Sequence, residues 1–290
     1  MNTEKWLSQN THSLSGKLVA VSGSTGGIGK ELTKYLASLG ADLLLLDRNE
    51  IKSNALMGAL KKEYPSVCVR HIPLDLEDIE STRAAAEKLR KIMPDYLILN
   101  AGAYHIPRYK SALNLENIFQ INFLSPYYLA RELKDYGTKI VAVSSIALFY
   151  SKTDKSDMDF STRRQSNLVY GNSKRFLTYS LFSLFKGTDR LSIVHPGITL
   201  TGITAHYPPL IFAIIKHPMK VIFMSPKKAA LSVLRGLFDH TENGEWIGPR
   251  IFNIWGLPEK SRLNFCDKKE AAFIKKTAEN LYNQMKKADS

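Results

Sequence analysis

Between residue 17 and about residue 200 the chain alternates short apolar runs with longer stretches of helical period. No other feature restricts the fold as much. The runs are residues 17–22, 42–47, 67–72, 96–100, 139–144 and 191–195, and the helical stretches include 30–39, 81–92, 115–134 and 170–185. Strands rich in Leu, Val and Ile and separated by helices are buried on both faces, as in a parallel sheet with helices on either side. Right-handed crossovers then predict an α/β, doubly wound parallel sheet, Rossmann-like and in a single domain, with ligands at the carboxyl ends of the strands. Residues 1–16 are expected to be an N-terminal extension and 17–290 the domain itself.

After Pro196 the regularity fails. Pro208, Pro209 and Pro226 bracket an apolar, basic-tinged stretch, 210–224, with Pro218 inside it. Its place between a late strand and the next helix (about 227–239) predicts a lid at about 200–225 that keeps water from the site. The alternative is weak contact with an anionic membrane surface through the apolar residues and the flanking Lys216 and Lys220. The last segment, 268–285, puts Ile274, Ala278, Leu281 and Met285 on one helical face. That face packs on its own domain or on a second subunit of a homo-oligomer.

Forty Lys and Arg against 27 Asp and Glu give a net charge of +13. Such a surface attracts nucleic acid, anionic lipid or a phosphorylated ligand. The lysines are spread along the chain without a basic-aromatic motif, so no nucleic-acid partner is expected. Cys68 and Cys266 have no partner motif, which excludes a disulfide framework and points to a reducing compartment. With a polar 1–16 segment and no run of about 20 apolar residues, the expectation is cytoplasmic, with a membrane-peripheral position as the alternative. His105 and His195 lack partners at triad or metal spacing and are expected to be rim or structural residues, with no metal.

Ser22-Gly23-Ser24-Thr25-Gly26-Gly27-Ile28-Gly29 follows the first strand and opens a helix. Small residues let the backbone turn sharply and bring its N–H groups to a pyrophosphate at the helix N-terminus. A nucleotide-triphosphate loop fails here: Glu31 stands where a Ser or Thr for magnesium is needed, and Ser24 where the first glycine belongs.

The spacing Gly23-x-x-x-Gly27-x-Gly29 resembles the cofactor turn of the short-chain dehydrogenase/reductase family, and other marks of the family follow in order. They are Asp75-Leu76, Asn100-Ala101-Gly102 (Leu99 replacing the family's first Asn), Asn122, Ser144-Ser145, Tyr170-x-x-x-Lys174 and Pro196-Gly197-x-x-x-Thr201. The likeness runs from about Lys17 to Phe238. It implies cofactor contacts from Gly23, Ser24, Thr25, Gly27, Ile28, Gly29, Asp75, Leu76, Asn100, Ala101, Gly102, Tyr170, Lys174, Pro196, Gly197 and Thr201. It also implies roles for Ser145, orienting a substrate oxygen, and for Asn122, holding a relay water. The 151–167 stretch around Asp157-Met158-Asp159-Phe160 resembles an insertion of the retinol-dehydrogenase-like branch, as do Phe119-Gln120-x-Asn122 and His195-Pro196-Gly197. That branch implies an apolar alcohol or carbonyl substrate.

The residues support the same chemistry. Alcohol/carbonyl interconversion needs a proton donor or acceptor beside the reacting oxygen. Tyrosine titrates near 10, and bringing it down to about 7 or 8 takes roughly 3–4 kcal/mol. An ammonium about 4 Å away supplies about that much, and Tyr170 and Lys174 share a helical face. Ser144 competes with Ser145 for the oxygen-binding role. At the end of the second strand, Asp47 suits the ribose hydroxyls of NAD, while Arg48 suits the 2′-phosphate of NADP. With no basic residue at Ser24, Thr25 or Gly26 the balance leans to NAD, and NADP is the alternative. The rival reading is a dinucleotide-sensing or scaffold protein without chemistry; a lyase or epimerase using the same cofactor is a third.

Overall fold

Successive side chains of a strand point to opposite faces, and this sheet buries both. In β2 (Asp42–Asp47), Leu43 and Leu45 pack on one side, Leu44 and Leu46 on the other. In β1 (Leu18–Ser22) Val19 and Val21 oppose Ala20 in the same way. The computed structural model describes residues 3–150, 152–199, 223–263 and 266–287. Its remaining strands are β3 (Val69–Pro73), β4 (Tyr96–Leu99), β5 (Lys139–Val143), β6 (Leu191–Val194), β7 (Glu245–Ile251) and β8 (Trp255–Arg262).

The sheet order is β3-β2-β1-β4-β5-β6-β7-β8, parallel throughout except that β8 returns antiparallel to β7. The order reverses between β1 and β4, which opens a crevice at their carboxyl ends. The six expected strands lie within two residues of the observed ones.

One face is covered by α4 (Ile79–Ile92), α5 (Asn117–Phe119), α6 (Ser125–Leu133), α7 (Ser166–Leu184) and α9 (Lys268–Lys287); Leu89, Phe119, Phe176, Leu281 and Met285 lie in that core. The other is covered by α2 (Gly27–Ser38), α3 (Glu50–Glu63) and α8 (Pro226–Phe238) through Leu32, Leu36, Leu60 and Leu234. Caps are local: Asn49 accepts from Lys52 N at the start of α3, and Ser225 from Lys228 N at α8, where Pro226 opens the helix.

Three expectations need correcting. The N-terminal extension forms α1 (Thr3–Asn10) and belongs to the domain: Trp6 and Leu14 are buried in the core that holds Val19. The helix expected at 115–134 contains a π-helical turn, Gln120–Leu124, between α5 and α6. The helix expected to open at Tyr170 starts one turn earlier, at Ser166. The lid at about 200–225 lies outside the described residues except for its end, Phe223 to Ser225. Among the described residues no helix is long and apolar enough to cross a membrane. Cys68 and Cys266 are free thiols.

Candidate active site

A cleft of about 980 Å³ opens at the carboxyl ends of β1, β2, β4, β5 and β6. Its floor at one end is the glycine turn. Gly23 sits at φ 66°, which glycine adopts without strain. A Cβ on Gly29 would lie 2.1 Å from the Gly23 carbonyl oxygen, so nothing larger fits where α2 starts. The Ser22 hydroxyl accepts from Asn100 N (3.0 Å) and Ala101 N (3.1 Å), and the Asn100 amide donates to Ser22 O and Gly23 O. Asn100 thus locks the ends of β1 and β4 together, while Asn100, Ala101 and Gly102 line the cleft.

Asp47 is placed differently from the expectation that it selects NAD. Its carboxylate is buried and already accepts from the Ser24 hydroxyl, from Thr25 N (3.2 Å) and from the Thr25 hydroxyl (3.0 Å). These bonds tie the glycine turn to the end of β2, so the acceptor capacity expected for a ribose is committed inside the protein. Arg48 lines the cleft with a side chain 67% exposed, and its nearest carboxylate, Glu77, is 3.9 Å away. Asp75 and Leu76 line the same end. The Asp75 carboxylate accepts from Glu77 N, and the Leu76 carbonyl from the Ser125 hydroxyl.

At the other end Ser145, Tyr170 and Lys174 converge on the same cleft. The Ser144 hydroxyl is buried and shared with Thr178 (2.8 Å), whereas Ser145 meets the Tyr170 phenol. Lys174 is 3% exposed, donates to Val143 O at 2.8 Å and lies 5.8 Å from the centre of the Tyr170 ring. Burial pushes the Tyr170 phenol up to about 12, against an opposing pull from the Ser145 hydroxyl. Burial also brings Lys174 down to about 8. The expected acidification of the phenol by the ammonium is therefore not found in the protein itself: taking both groups out of water favours their neutral forms.

Asn122 sits in the π-helical turn, and both its amide N–H groups and its amide oxygen are engaged within the protein. It accepts from Ala103 N (3.1 Å) and donates to Ala103 O (2.6 Å) and Ile118 O (2.8 Å). A Cβ on Gly102 would lie 2.6 Å from the Asn122 side-chain oxygen. Asn122 therefore fixes the segment after β4.

His195 is buried, stacked on Trp246 and hydrogen-bonded through Nε2 to Asn253 O (2.8 Å), with burial lowering it to about 4. It is structural, as expected. Pro196 and Gly197 reach the cleft; Thr201 lies outside the described residues. Among the described residues no group of side chains forms a metal site.

The sequence reading missed most of the wall beside Tyr170, namely Ala103, Tyr104, Ile106, Ile146, Tyr150 and Ile198, whereas Phe223, which also lines it, belongs to the stretch expected to act as a lid. Tyr104 packs edge-on against the Tyr170 ring at 5.2 Å. The only signal was position, since the missed residues lie within five positions of Gly102, Ser145 or Gly197. Residues 152–167, which resemble the branch insertion, line none of the cleft. They brace the loop behind: Asp159 accepts from Glu116 N (2.7 Å) and Lys110 Nζ (3.1 Å), and Arg108 pairs with Glu116 and donates to Phe160 O.

Comparisons with known proteins agree with this geometry. The profile of the short chain dehydrogenases matches residues 17–156. An uncharacterised oxidoreductase of Schizosaccharomyces pombe is 29% identical over 259 residues, 81% of this chain and 76% of the yeast protein. Retinol dehydrogenase 12 of Mus musculus is 33% identical over 202 residues, 65% of this chain; the matched stretch spans 63% of the mouse enzyme, just under two thirds of its length. Among solved structures, a protein of Mycobacterium paratuberculosis superposes with a TM-score of 0.73 at 21% identity, covering 95% of this chain and 96% of that one. A short-chain dehydrogenase from Sphingobium yanoikuyae in complex with NADPH gives a TM-score of 0.58 at 22% identity, over 77% of this chain and 84% of that one. By this profile and these relatives the chain is similar to the short-chain dehydrogenase/reductase family, nicotinamide-dependent oxidoreductases, and within it to the retinol dehydrogenases.

Proposed function

We propose that the chain interconverts an apolar alcohol and its carbonyl compound with a nicotinamide dinucleotide, preferentially the 2′-phosphorylated NADP(H). The observation that carries this reading is one continuous cleft with the glycine turn at one end and Ser145, Tyr170 and Lys174 at the other. The residues fit the group: the packing at Gly23 and Gly29 admits only a bare backbone, so main-chain N–H groups at the start of α2 can approach a pyrophosphate. When bound, the cofactor supplies or takes up the hydride.

The chain's own residues do the rest. Tyr170, kept protonated by burial, delivers its proton to the carbonyl oxygen during reduction and takes it back during oxidation. Ser145 donates to the same oxygen. Lys174, near 8, exchanges charge within the working pH range; as an ammonium it offers the electrostatic support that the phenolate needs. Asn122 keeps the backbone of Ala103 in place beside them. The apolar wall from Tyr104 to Phe223 favours an apolar substrate and excludes water around the reacting carbon.

The preference for NAD expected from Asp47 is not supported. Asp47 is occupied by Ser24 and Thr25, while the exposed Arg48, 3.9 Å from the Glu77 carboxylate, lines the cleft and can offer its guanidinium to a 2′-phosphate. The NADPH held by the Sphingobium dehydrogenase points the same way.

The test is Tyr170→Phe, assayed for NADPH oxidation against a panel of apolar aldehydes and ketones. Turnover should vanish while the stabilisation of the protein by NADPH persists. A variant that keeps turning over overturns the assignment.

A further inference from the structure

The turn from β7 to β8 places an apolar ring where water surrounds it. Ile251, Phe252, Asn253 and Ile254 close it, with Ile254 N–H donating to Ile251 C=O at 2.9 Å. Phe252 and Asn253 both adopt positive φ, 52° and 56°. Hairpins favour this mirror-image turn, but Asn-Gly ordinarily fills it, and a bulky residue there is strained. The Phe252 side chain is 87% exposed, and Ile251 and Trp255 beside it are each 41% exposed. Backbone strain that holds a phenyl group in solvent points to a use for that group.

Charge selects the occupant. From Trp246 to Pro258 the sequence has no carboxylate and carries the exposed Arg250. Gly197 joins this tip to a second basic region: a Cβ there would meet Ile254 O at 2.7 Å and Met224 Sδ at 2.9 Å. The exposed Lys227 and Lys228 follow three and four residues after Met224. Among the described residues from Pro196 to Phe238 there is no Asp or Glu, and Arg235 is already paired with Asp239, which leaves Lys227 and Lys228 as the exposed cations there. A second copy would bring the same net charge of +13 and the same cationic rim, so like charge opposes a tip-to-tip dimer. An anionic bilayer has the complementary sign.

We propose that the β7–β8 tip docks the protein on an anionic lipid surface. Ile251, Phe252 and Trp255 enter the interfacial layer, and Arg250, Lys227 and Lys228 face the headgroups. The tip is joined to the site through Asn253 O, which accepts from His195 directly before Pro196-Gly197 at the cleft. Docking therefore sets the substrate end of the cleft beside the bilayer. The proposal does not rest on the catalytic reading, because vesicle binding requires no turnover.

Tryptophan emission tests it. Trp6 and Trp246 are 5% and 1% exposed, leaving Trp255 as the tryptophan that meets solvent. The full chain is titrated with vesicles of phosphatidylglycerol and phosphatidylcholine in equal parts, and with phosphatidylcholine alone. Anionic vesicles should sediment the protein and shift its emission to the blue, and roughly 1 M salt should release it. Trp255→Phe should remove the shift. Phe252→Asp, which suits positive φ and leaves the core untouched, should lower vesicle affinity at least about tenfold with Tm not lowered. Unshifted emission with anionic vesicles, or wild-type affinity in Phe252→Asp, overturns the proposal. So does a concentration-dependent dimer that Phe252→Asp dissolves in the absence of lipid.

Discussion

Arg175 and Glu270 form a buried two-pronged ion pair, Nε to Oε1 at 2.7 Å and Nη2 to Oε2 at 2.5 Å, with side chains 2% and 7% exposed. Arg175 follows Lys174 on α7, and Glu270 lies in the first turn of α9. The same carboxylate accepts from Thr153 N and the Thr153 hydroxyl, and Arg175 also donates to Leu148 O. The C-terminal helix is thereby fastened to the helix that carries Tyr170 and to the strand-end segment that carries Ser145.

Removing one partner of such a pair leaves a buried charge without compensation. Glu270→Ala should cost about 3–5 kcal/mol of stability. The pair holds the Glu270 carboxyl down at about 2, against an ordinary value of 4.5. A depressed carboxyl contributes stability that is complete above about 4.5 and is lost as the pH falls through 2. Denaturant titrations of wild type and Glu270→Gln between these limits should therefore show the wild-type advantage shrinking with acidity; a constant gap refutes the linkage.

Lys174 should behave in the opposite sense. Burial lowers it from 10.5 to about 8, so the folded protein bears the cost of charging it below 8, and that cost disappears by about 10.5. Lys174→Met should raise the stability of the protein at pH 7 by about 2–3 kcal/mol, with the gain fading over that alkaline interval, while activity is lost. Thermal melts at several pH values read this directly.

Gly29→Ala should prevent cofactor binding. The added carbon would lie 2.1 Å from the Gly23 carbonyl oxygen and 2.9 Å from its carbon, and both belong to backbone that has nowhere to recede. Overpacking of this kind costs about 1–3 kcal/mol. The rise in Tm that NADPH produces in the wild type should be absent from the variant.

Arg48→Ala separates the two nicotinamides. Losing a charge-assisted contact to a phosphate should lower kcat/KM for NADPH by about 10- to 100-fold and leave NADH largely unaffected. Asp47→Ala should weaken both, because it unties Ser24 and Thr25 from β2. Steady-state kinetics with each cofactor decides the matter.

The sequence showed what depends on local periodicity. The Leu43–Leu46 run identifies a strand buried on both faces, and Gly23 and Gly29 mark a turn that tolerates no side chain. It concealed elements whose pattern is diluted. Helix α3 buries only Ser53, Leu56 and Leu60 and exposes Ile51, so its apolar face is faint. Strands β7 and β8 are interrupted by Gly248, Pro249, Gly256 and Pro258, which read as loop. The Asp47–Ser24 and Arg175–Glu270 bonds join residues 23 and 95 positions apart, where no short-range pattern can report them. The pKa expectation for Tyr170 failed for a related reason: spacing places an ammonium nearby but does not reveal how much water both groups lose.

The margins of the sheet carry a consequence for assembly. The outer strands are β3, with Arg70 and Pro73 exposed, and β8, with Pro258 and the charged Glu259, Lys260 and Arg262. Proline withholds a donor, and ionic side chains oppose a flat stack of backbones. Main-chain annexation by a neighbour is thus discouraged on both flanks, which favours helices and surface side chains over strand edges as sites of native assembly.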